Sequence, residues 1–403
     1  MSKIIIIGGG AAGFFAAITV AEANPKAEVI ILEKSKKVLH KVKISGGGRC
    51  NVTHACFDPK ELVAFYPRGK KELLGPFHQF MTGDTMEWFE NRGVPLKIEG
   101  DNRIFPESNS SQTIIDCLTQ SAEKAGVKVV FDQNVSSVSA KENQFEIVTN
   151  SETFYADKLL IAAGSNPKIW DLAKTLGHSI IEPVPSLFTF NIKDKRLEDL
   201  MGVSVPNATV KLVKTNLESS GPLLIAHWGL SGPAILKLSA FGARILAEKK
   251  YQYNVEVNWL STSTEEVLKV LKSNKESQPK KQVILKSQFP DVSKRLWEKL
   301  VLASNILFDS RWADLSNKQL QQLADQLTKS TFNANGKSTF KDEFVTSGGV
   351  NLKEINFKRF ESRIHKNLFF AGEVLDIDAV TGGFNFQNAW TGGYIAGNAM
   401  SED

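Results

Sequence analysis

The sequence predicts an α/β fold in which one parallel sheet is built from both ends of the chain around a large insertion. Three observations predict it. A strand–glycine turn–helix–strand unit fills the first 33 residues. An apolar strand, a glycine-rich turn and a helix close the chain between Leu368 and about Met400. Between them, the character changes near residue 185, to strand-like runs over 187–260 and then mainly helical, polar sequence over 263–330. The separating segment is about 150 residues, an ordinary domain size. The expected division is 1–187 and 341–403 for the sheet-bearing domain and 188–340 for the insertion.

Bulk properties agree with this division. A chain of 403 residues exceeds what one hydrophobic core usually serves. Apolar residues make up 42% and charged residues 23%, which is globular composition. Lys and Arg number 49 against 44 Asp and Glu, and the net +5 permits anionic ligands without calling for nucleic acid or membrane. The three cysteines, Cys50, Cys56 and Cys117, are an odd and sparse set that suits a reducing cytosol rather than a disulfide framework. Residues 4–21 carry no charge and follow Lys3, which imitates a signal peptide. The glycines at 8–10 break that run after four isoleucines, so strand, turn and helix account for it better. No later apolar stretch is long enough to span a bilayer. The expectation is a cytoplasmic protein.

Element by element, Ile4–Ile7 reads as a buried central strand. Ala11–Ala23 reads as a buried helix ending near Asn24–Pro25, and Glu28–Glu33 as the second strand. Thr85–Asn91 and Ser111–Lys124 are helical, stopped by Gly93 and Gly126. Val127–Phe131 is a third parallel-type strand. Val135–Ala140, Phe145–Thr149 and Thr153–Ala156 alternate and read as an antiparallel meander. Lys158–Ala163 returns as a core strand ending at Gly164. In the insertion, Thr209–Val213 and Tyr253–Trp259 are strands, with a helix from Ala234 to about Glu248. Residues 263–330 are mainly helical, opened by the capping box Ser263-x-x-Glu266, with Lys272–Gln282 expected as a solvated loop. Leu368–Ala371 is the final strand, and Phe384 to about Met400 the final helix.

Four segments carry chemistry. Gly8-x-Gly10-x-x-Gly13 follows a strand, opens a helix and lies twenty residues before Glu33. In that context it reads as a Rossmann-type dinucleotide site rather than a plain βα unit. Gly8 makes the turn, Gly10 admits a pyrophosphate to the backbone, and Gly13 lets the helix approach the sheet. The helix N-terminus favours the phosphate charge. Glu33 can accept from a ribose hydroxyl and argues against a 2′-phosphate, so FAD or NAD fits better than NADP. Ser45-Gly46-Gly47-Gly48-Arg49-Cys50-Asn51 reads as a second backbone surface, an anion nest with the fixed charge of Arg49, rather than a loop tip. Gly372-Glu373, Asp376 and Thr381-Gly382-Gly383-Phe384-Asn385 suit the ribityl end of a flavin, with a helix N-terminus aimed at the negative charge of its reduced ring. Gly393 and Gly397 make a smooth stripe for close packing. The fourth segment, His227–Pro233, offers His227 as an acid–base or orienting group, against the equal reading that the turn simply caps the next helix. Arg103 is a candidate anion clamp or a surface arginine. No second strand–GxGxxG–helix unit follows, and Cys50 and Cys56 stand one residue wider than a C-x4-C redox pair.

These segments, with Ala226–Pro233, Thr346–Val350 and the run Asn367–Gly397, resemble the bacterial NAD(P)/FAD-dependent oxidoreductase family that includes aminoacetone oxidase-like and BaiN-type flavoproteins. The resemblance spans nearly the whole chain. It departs at Ala226, before His227, and at Phe360, where Met is more usual. It implies a Rossmann-like FAD-binding domain made from both termini, with an inserted β-barrel-plus-helical domain covering the flavin. It implies cofactor contacts at Gly8, Gly10, Ala11, Ala12, Gly13, Glu33, Lys34, Gly47, Gly48, Arg49, Cys50 and Asn51. Val135, Ala163, Gly164, Gly372, Glu373, Asp376, Gly383, Phe384 and Asn385 complete the set, Val135 through its backbone to the adenine.

The resulting expectation is an FAD-dependent oxidoreductase passing hydride between a small organic substrate and the flavin, with His227 as candidate catalytic residue and no metal. O2 or transiently bound NAD(P)H would exchange electrons with it. No nucleic-acid or membrane partner is expected. Two rivals stand beside it. One is a flavin-dependent RNA-modifying or RNA-binding protein, for which only Lys34–Lys43 and Lys272–Lys281 cluster basic residues and no RNA-binding motif appears. The other is a non-catalytic flavin-bound scaffold.

Overall fold

Four consecutive isoleucines can be buried on both faces only inside a parallel sheet, and that is where they lie. Ile4–Ile6 are fully buried at the middle of a seven-stranded sheet in the computed structural model, which describes residues 2–142, 144–338 and 345–402. The sheet order is Ile355–Asn356, Glu361–Ser362, Leu368–Phe370, Lys158–Ile161, Lys3–Ile7, Glu28–Leu32, Lys128–Val130. The last five are parallel, and the two at the far edge pair antiparallel. From the central strand the chain first winds one way, to Lys128–Val130, and then returns to the other side at Lys158–Ile161. The strand order therefore reverses beside Lys3–Ile7, and the carboxyl ends there form the crevice in which such sheets take ligands. The meander forms at Val135–Ala140, Phe145–Thr149 and Thr153–Ala156, as the alternation predicts.

The chain gathers into two compact units, Met1–Val184 with Val345–Asp403, and Pro185–Phe344. The expected boundary between 340 and 341 lies outside the described residues. In the second unit, six strands close an antiparallel barrel in the order Thr189–Ile192, Gly229–Ser231, Glu218–Ala226, Ser204–Leu212, Gln252–Asn258, Ser330–Ser338. Phe190, Val210, Ile225, Val255 and Phe332 belong to its core. Helices Thr264–Ser277, Lys294–Ala303 and Asn317–Thr328 bury Trp297 and Leu323 in the same core.

Local departures from the sequence reading have local causes. The lysine-rich stretch expected as a loop is helical to Ser277, because Val267, Leu271 and Asn274 keep one buried face. The helix expected at Thr85 starts at Thr82, since the Asp84 carboxylate accepts from Met81 N (2.7 Å) and caps an earlier turn. The helix after Pro233 divides at Gly242 into Pro233–Phe241 and Ala243–Glu248. Among the described residues, no helix is long and apolar enough to cross a membrane.

The first and last helices hold the sheet-bearing unit together. Every residue from Ala12 to Ala21 is buried, so this helix has no polar face to offer water. Its covering partner is Phe384–Ser401. The backbones approach so closely at Gly393 that a Cβ there would sit 2.7 Å from Ala12 O and 3.1 Å from Phe15 Cβ. Phe15 packs on Trp88 (ring centroids 4.4 Å) and Trp390 (5.4 Å) at the same junction. Gly393→Ala is expected to destabilise this unit by about 1–3 kcal/mol, the usual cost of overpacking a tight contact. Thermal and urea denaturation followed at the buried tryptophans measure it. An unchanged midpoint contradicts the packing assigned here.

Candidate functional site

The first glycine segment runs from the carboxyl end of the central strand into the first helix. A Cβ at Gly13 would lie 2.1 Å from Gly8 O, so only glycine lets the helix begin this close to the turn. No side chain caps that helix, whose N-cap is Gly10, and its first turn contains no acidic residue. Beside Gly10 the space is open: the nearest atom to an ideal Cβ is Ala162 O at 3.9 Å. The first-turn N–H groups, including those of Ala11 and Ala12, are thus presented as an anion site. The Glu33 carboxylate is held alongside. One oxygen accepts from Gly9 N (2.9 Å) and the other from the amide and hydroxyl of Ser35 (both 2.9 Å). The oxygen bonded to Gly9 N keeps acceptor capacity for a hydroxyl. Gln133 N donates to Glu33 O, which brings the start of the meander, and with it Val135, to this end of the sheet. Lys34 is exposed, and Ala163 and Gly164 follow the neighbouring strand.

The second segment departs from a simple nest. The segment His40–Gly48 leaves the helix at Ser45, which is extended (ψ 151°), and Gly46 and Gly47 then turn left-handed (φ 57° and 68°). Nothing lies within 4 Å of an ideal Cβ at Gly47 or Gly48, so this backbone is open on one side. Arg49 is less free than expected. Its guanidinium donates to Glu99 (2.6 Å) and lies over the Phe105 ring at 3.9 Å. Arg103 reaches the same ring (5.3 Å) and pairs with Asp101 (2.7 Å). Cys50 is buried, and burial pushes its thiol up to about 12. All three cysteines are free thiols.

The third segment joins the other two. Gly372 faces Ala12, with 3.2 Å between its ideal Cβ and that of Ala12. Glu373 pairs with Lys41, and Asp376 is buried with its amide on Val350 O. The last helix opens at Gly383 with no side-chain cap. A Cβ at Gly383 would meet Thr53 O at 2.6 Å, so this turn lies directly on the strand after the second segment. The Asn51 amide fastens the junction. With the amide oriented so that both its ends find complementary partners, its oxygen accepts from Gly383 N (2.9 Å), and its nitrogen donates to Thr53 O (2.9 Å) and Ile104 O (3.2 Å). Asn385 holds the approach by bonding Ala379 N and O (3.0 and 3.3 Å). The arrangement therefore puts two uncapped helix N-termini, an open glycine backbone and one carboxylate in one unit, which suits an elongated ligand with internal anionic charge and hydroxyls.

His227 belongs to the second unit, exposed in the two-residue turn between barrel strands Glu218–Ala226 and Gly229–Ser231, its ring edge-on to Trp228 (5.7 Å). Sequence reasoning missed a group around the last helix start. Phe384 stacks on Phe65 (4.2 Å) and packs on His54 (4.5 Å), and Tyr66 Oη donates to Phe384 O (2.6 Å). Arg68 pairs with the fully buried Asp378. Below Phe384, Gln387 Oε1 accepts from Thr53 and Thr85. The signal for His54 was its place three residues after Asn51. The others carry no local motif.

Comparison with known proteins fits this geometry. A family described as the HI0933-like protein Rossmann domain matches residues 2–399. A 3-dehydro-bile acid delta(4,6)-reductase of Clostridium scindens is 28% identical, over 100% of both chains. A ribosomal RNA dihydrouridine synthase of Escherichia coli is 30% identical, over 96% of this chain and 95% of that one. Among solved structures, 3-ketosteroid-delta4-(5alpha)-dehydrogenase from Rhodococcus jostii shares the fold, with a TM-score of 0.54 at 13% identity, covering 100% of this chain and 97% of that one.

The thiol of Cys50 yields a direct check. With burial holding it at about 12, its thiolate is scarce at neutral pH, and iodoacetamide should leave it unmodified in the native protein while alkylating it after denaturation. Rapid native alkylation at pH 7, located by peptide mass, would contradict the closed packing around Asn51.

Proposed function

The chain belongs to the HI0933-like family, and from that premise we propose that it is an FAD-dependent oxidoreductase that reduces a carbon–carbon double bond conjugated to a carbonyl. The single observation that carries the cofactor is the pair of uncapped helix N-termini at Gly10 and Gly383, tied to the glycine-rich backbone of 46–48 through Asn51 and Thr53. These residues fit FAD. The Gly8–Gly13 turn, with the Ala11 and Ala12 amides, receives the pyrophosphate. Glu33 accepts from the adenosine ribose, with Lys34 and the Val135 backbone on the adenosine side. Gly47–Asn51, Ala163, Gly164 and Gly372–Asp376 line the middle of the cofactor. The helix start at Gly383–Asn385 faces the ring, where its dipole favours negative charge. When bound, FAD supplies hydride chemistry that no side chain provides.

The substrate class rests on the relatives' names. A 3-dehydro bile acid carries a ketone, and the delta(4,6) double bonds are conjugated with it. The ring double bond of uracil is likewise conjugated with a carbonyl, and saturating it gives dihydrouridine. One reaction therefore covers both: hydride at the carbon β to the carbonyl and a proton at the α carbon. We take a small unsaturated ketone as substrate. The second reading, a uridine in RNA, is favoured by the name of the Escherichia coli relative. NAD(P)H, bound transiently, is the proposed reductant, since the chain offers no second dinucleotide fingerprint.

The purified protein is expected to show flavin absorption bands and to release FAD on heating. Glu33→Gln is expected to weaken FAD about 10-fold or more, as for loss of a charge-assisted hydrogen bond. Anaerobic mixing with NADH and NADPH identifies the reductant, and reoxidation by 4-androstene-3,17-dione or by unmodified ribosomal RNA separates the two substrate readings. A colourless protein that takes up no added FAD overturns the proposal.

A further inference from the structure

Of the six histidines, one lies where the second and third glycine segments meet. His54 ends the short strand Thr53–His54, which pairs with Arg103–Pro106. Its Nδ1 is 3.2 Å from Gly382 O, in the turn that opens the last helix. A carbonyl can only accept, so Nδ1 carries the proton and the neutral ring keeps its lone pair on Nε2. Nε2 has no protein partner among the described residues, although the ring is packed against Phe384 (4.5 Å) and Phe65 (5.7 Å). The side chain is half-buried. One nitrogen is thus fixed, the ring plane is held by aromatic neighbours, and the other nitrogen is left for something that is not protein.

The other histidines lack this combination. His178 is buried and uses both nitrogens, on Glu354 and Ser362 (each 3.0 Å). His365 Nε2 donates to Leu176 O (2.9 Å), and the residue precedes the strand Leu368–Phe370. His40 is exposed on the second segment's helix, His78 ends the helix Lys70–Phe77, and His227 belongs to the barrel unit.

We propose that His54 is the proton-exchanging residue of the reaction site, with Nε2 as the exchanging atom. The inference rests on the reading of the site as an FAD-dependent reductase. In reduction of a conjugated double bond, the β carbon gains a hydride, whose two electrons come from the reduced flavin. The α carbon gains the proton from imidazolium Nε2, and the neutral imidazole is reprotonated from solvent. Charge balances because the flavin gives up hydride and the histidine gives up a proton. The charged groups facing the ring are Asp101 and Arg103, which pair with each other (2.7 Å) and act on it in opposite directions. Burial then dominates and holds the imidazole below its usual range, with the Gly382 carbonyl opposing. Burial thus favours the neutral ring, and the proton-donating form grows as pH falls.

The test uses the FAD-loaded protein, reduced with NAD(P)H or dithionite under anaerobic conditions, and 4-androstene-3,17-dione as probe. Its single-turnover reoxidation is expected to speed up as pH falls through the His54 titration. His54→Gln and His54→Asn, each with full flavin content, are expected to slow it by about 10²-fold or more and to lose that pH dependence. Nitrogen-15 NMR of the holoprotein supplies a readout independent of turnover: the Nδ1–H tautomer, a titration below 6.5, and an Nε2 shift that responds to the probe. Wild-type rate and pH profile in both variants overturn the proposal, as does an Nε2–H tautomer or a ring that ignores the probe. Absence of flavin from the wild type would instead remove the reading on which the inference rests.

Discussion

The closest backbone contact between chain ends governs this molecule. The first helix is buried along nearly its whole length, and the last helix covers it where Gly393 comes against Ala12 O. Fixing those two helices side by side also fixes their N-termini at one edge of the sheet. Gly10 and Gly372–Gly383 are consequently brought together in one unit although they stand at opposite ends of the sequence. The second segment is then added through Asn51, whose amide reads backbone atoms of Gly383, Thr53 and Ile104 together.

Charge in the site is handled mostly by backbone. Arg49, Lys41 and Arg68 are all committed to carboxylates, Glu99, Glu373 and Asp378. Glu33 is oriented by Gly9 and Ser35 rather than by a cation. Uncapped helix starts present directional N–H groups that need no desolvated countercharge, and such donors are already ordered before any ligand arrives. The paired side chains shape the walls: Arg49 and Arg103 both reach Phe105, and Arg68 bridges to the loop before the last helix.

Much of this was legible in the sequence because it is local. The βαβ opening, the meander and the final helix each announce themselves by apolar runs, alternation and glycine turns, and the capping box at Ser263 forms as written, with Ser263 Oγ and Glu266 N 3.2 Å apart. The spacing from Gly13 to Glu33 placed the carboxylate beside the loop without any tertiary information. What escaped is long-range or energetically subtle. Lys272–Ser277 looks like a solvated run because three inward positions at helical spacing are diluted by lysines. His54, Phe65 and Phe384 meet only after the sheet is assembled, so no window of sequence contains them together. Arg49 looked like a free charge because its partner, Glu99, lies fifty residues away.

The marriage of the first helix to the last has a consequence for synthesis on the ribosome. The apolar helix Ala11–Ala23 emerges long before its permanent cover, Phe384–Ser401. The strand Leu368–Phe370, which completes the sheet beside Lys158–Ile161, is equally late. The barrel unit is continuous in sequence and can close while the nascent chain is still being extended. The sheet unit cannot close until the segment Phe384–Ser401 has been made, and it must then join its most distant contacts, the slowest kind to form. During that interval Phe15 has Trp88 but lacks Trp390, and a chain stalled before residue 384 would leave one face of the first helix uncovered and be sticky rather than merely inactive.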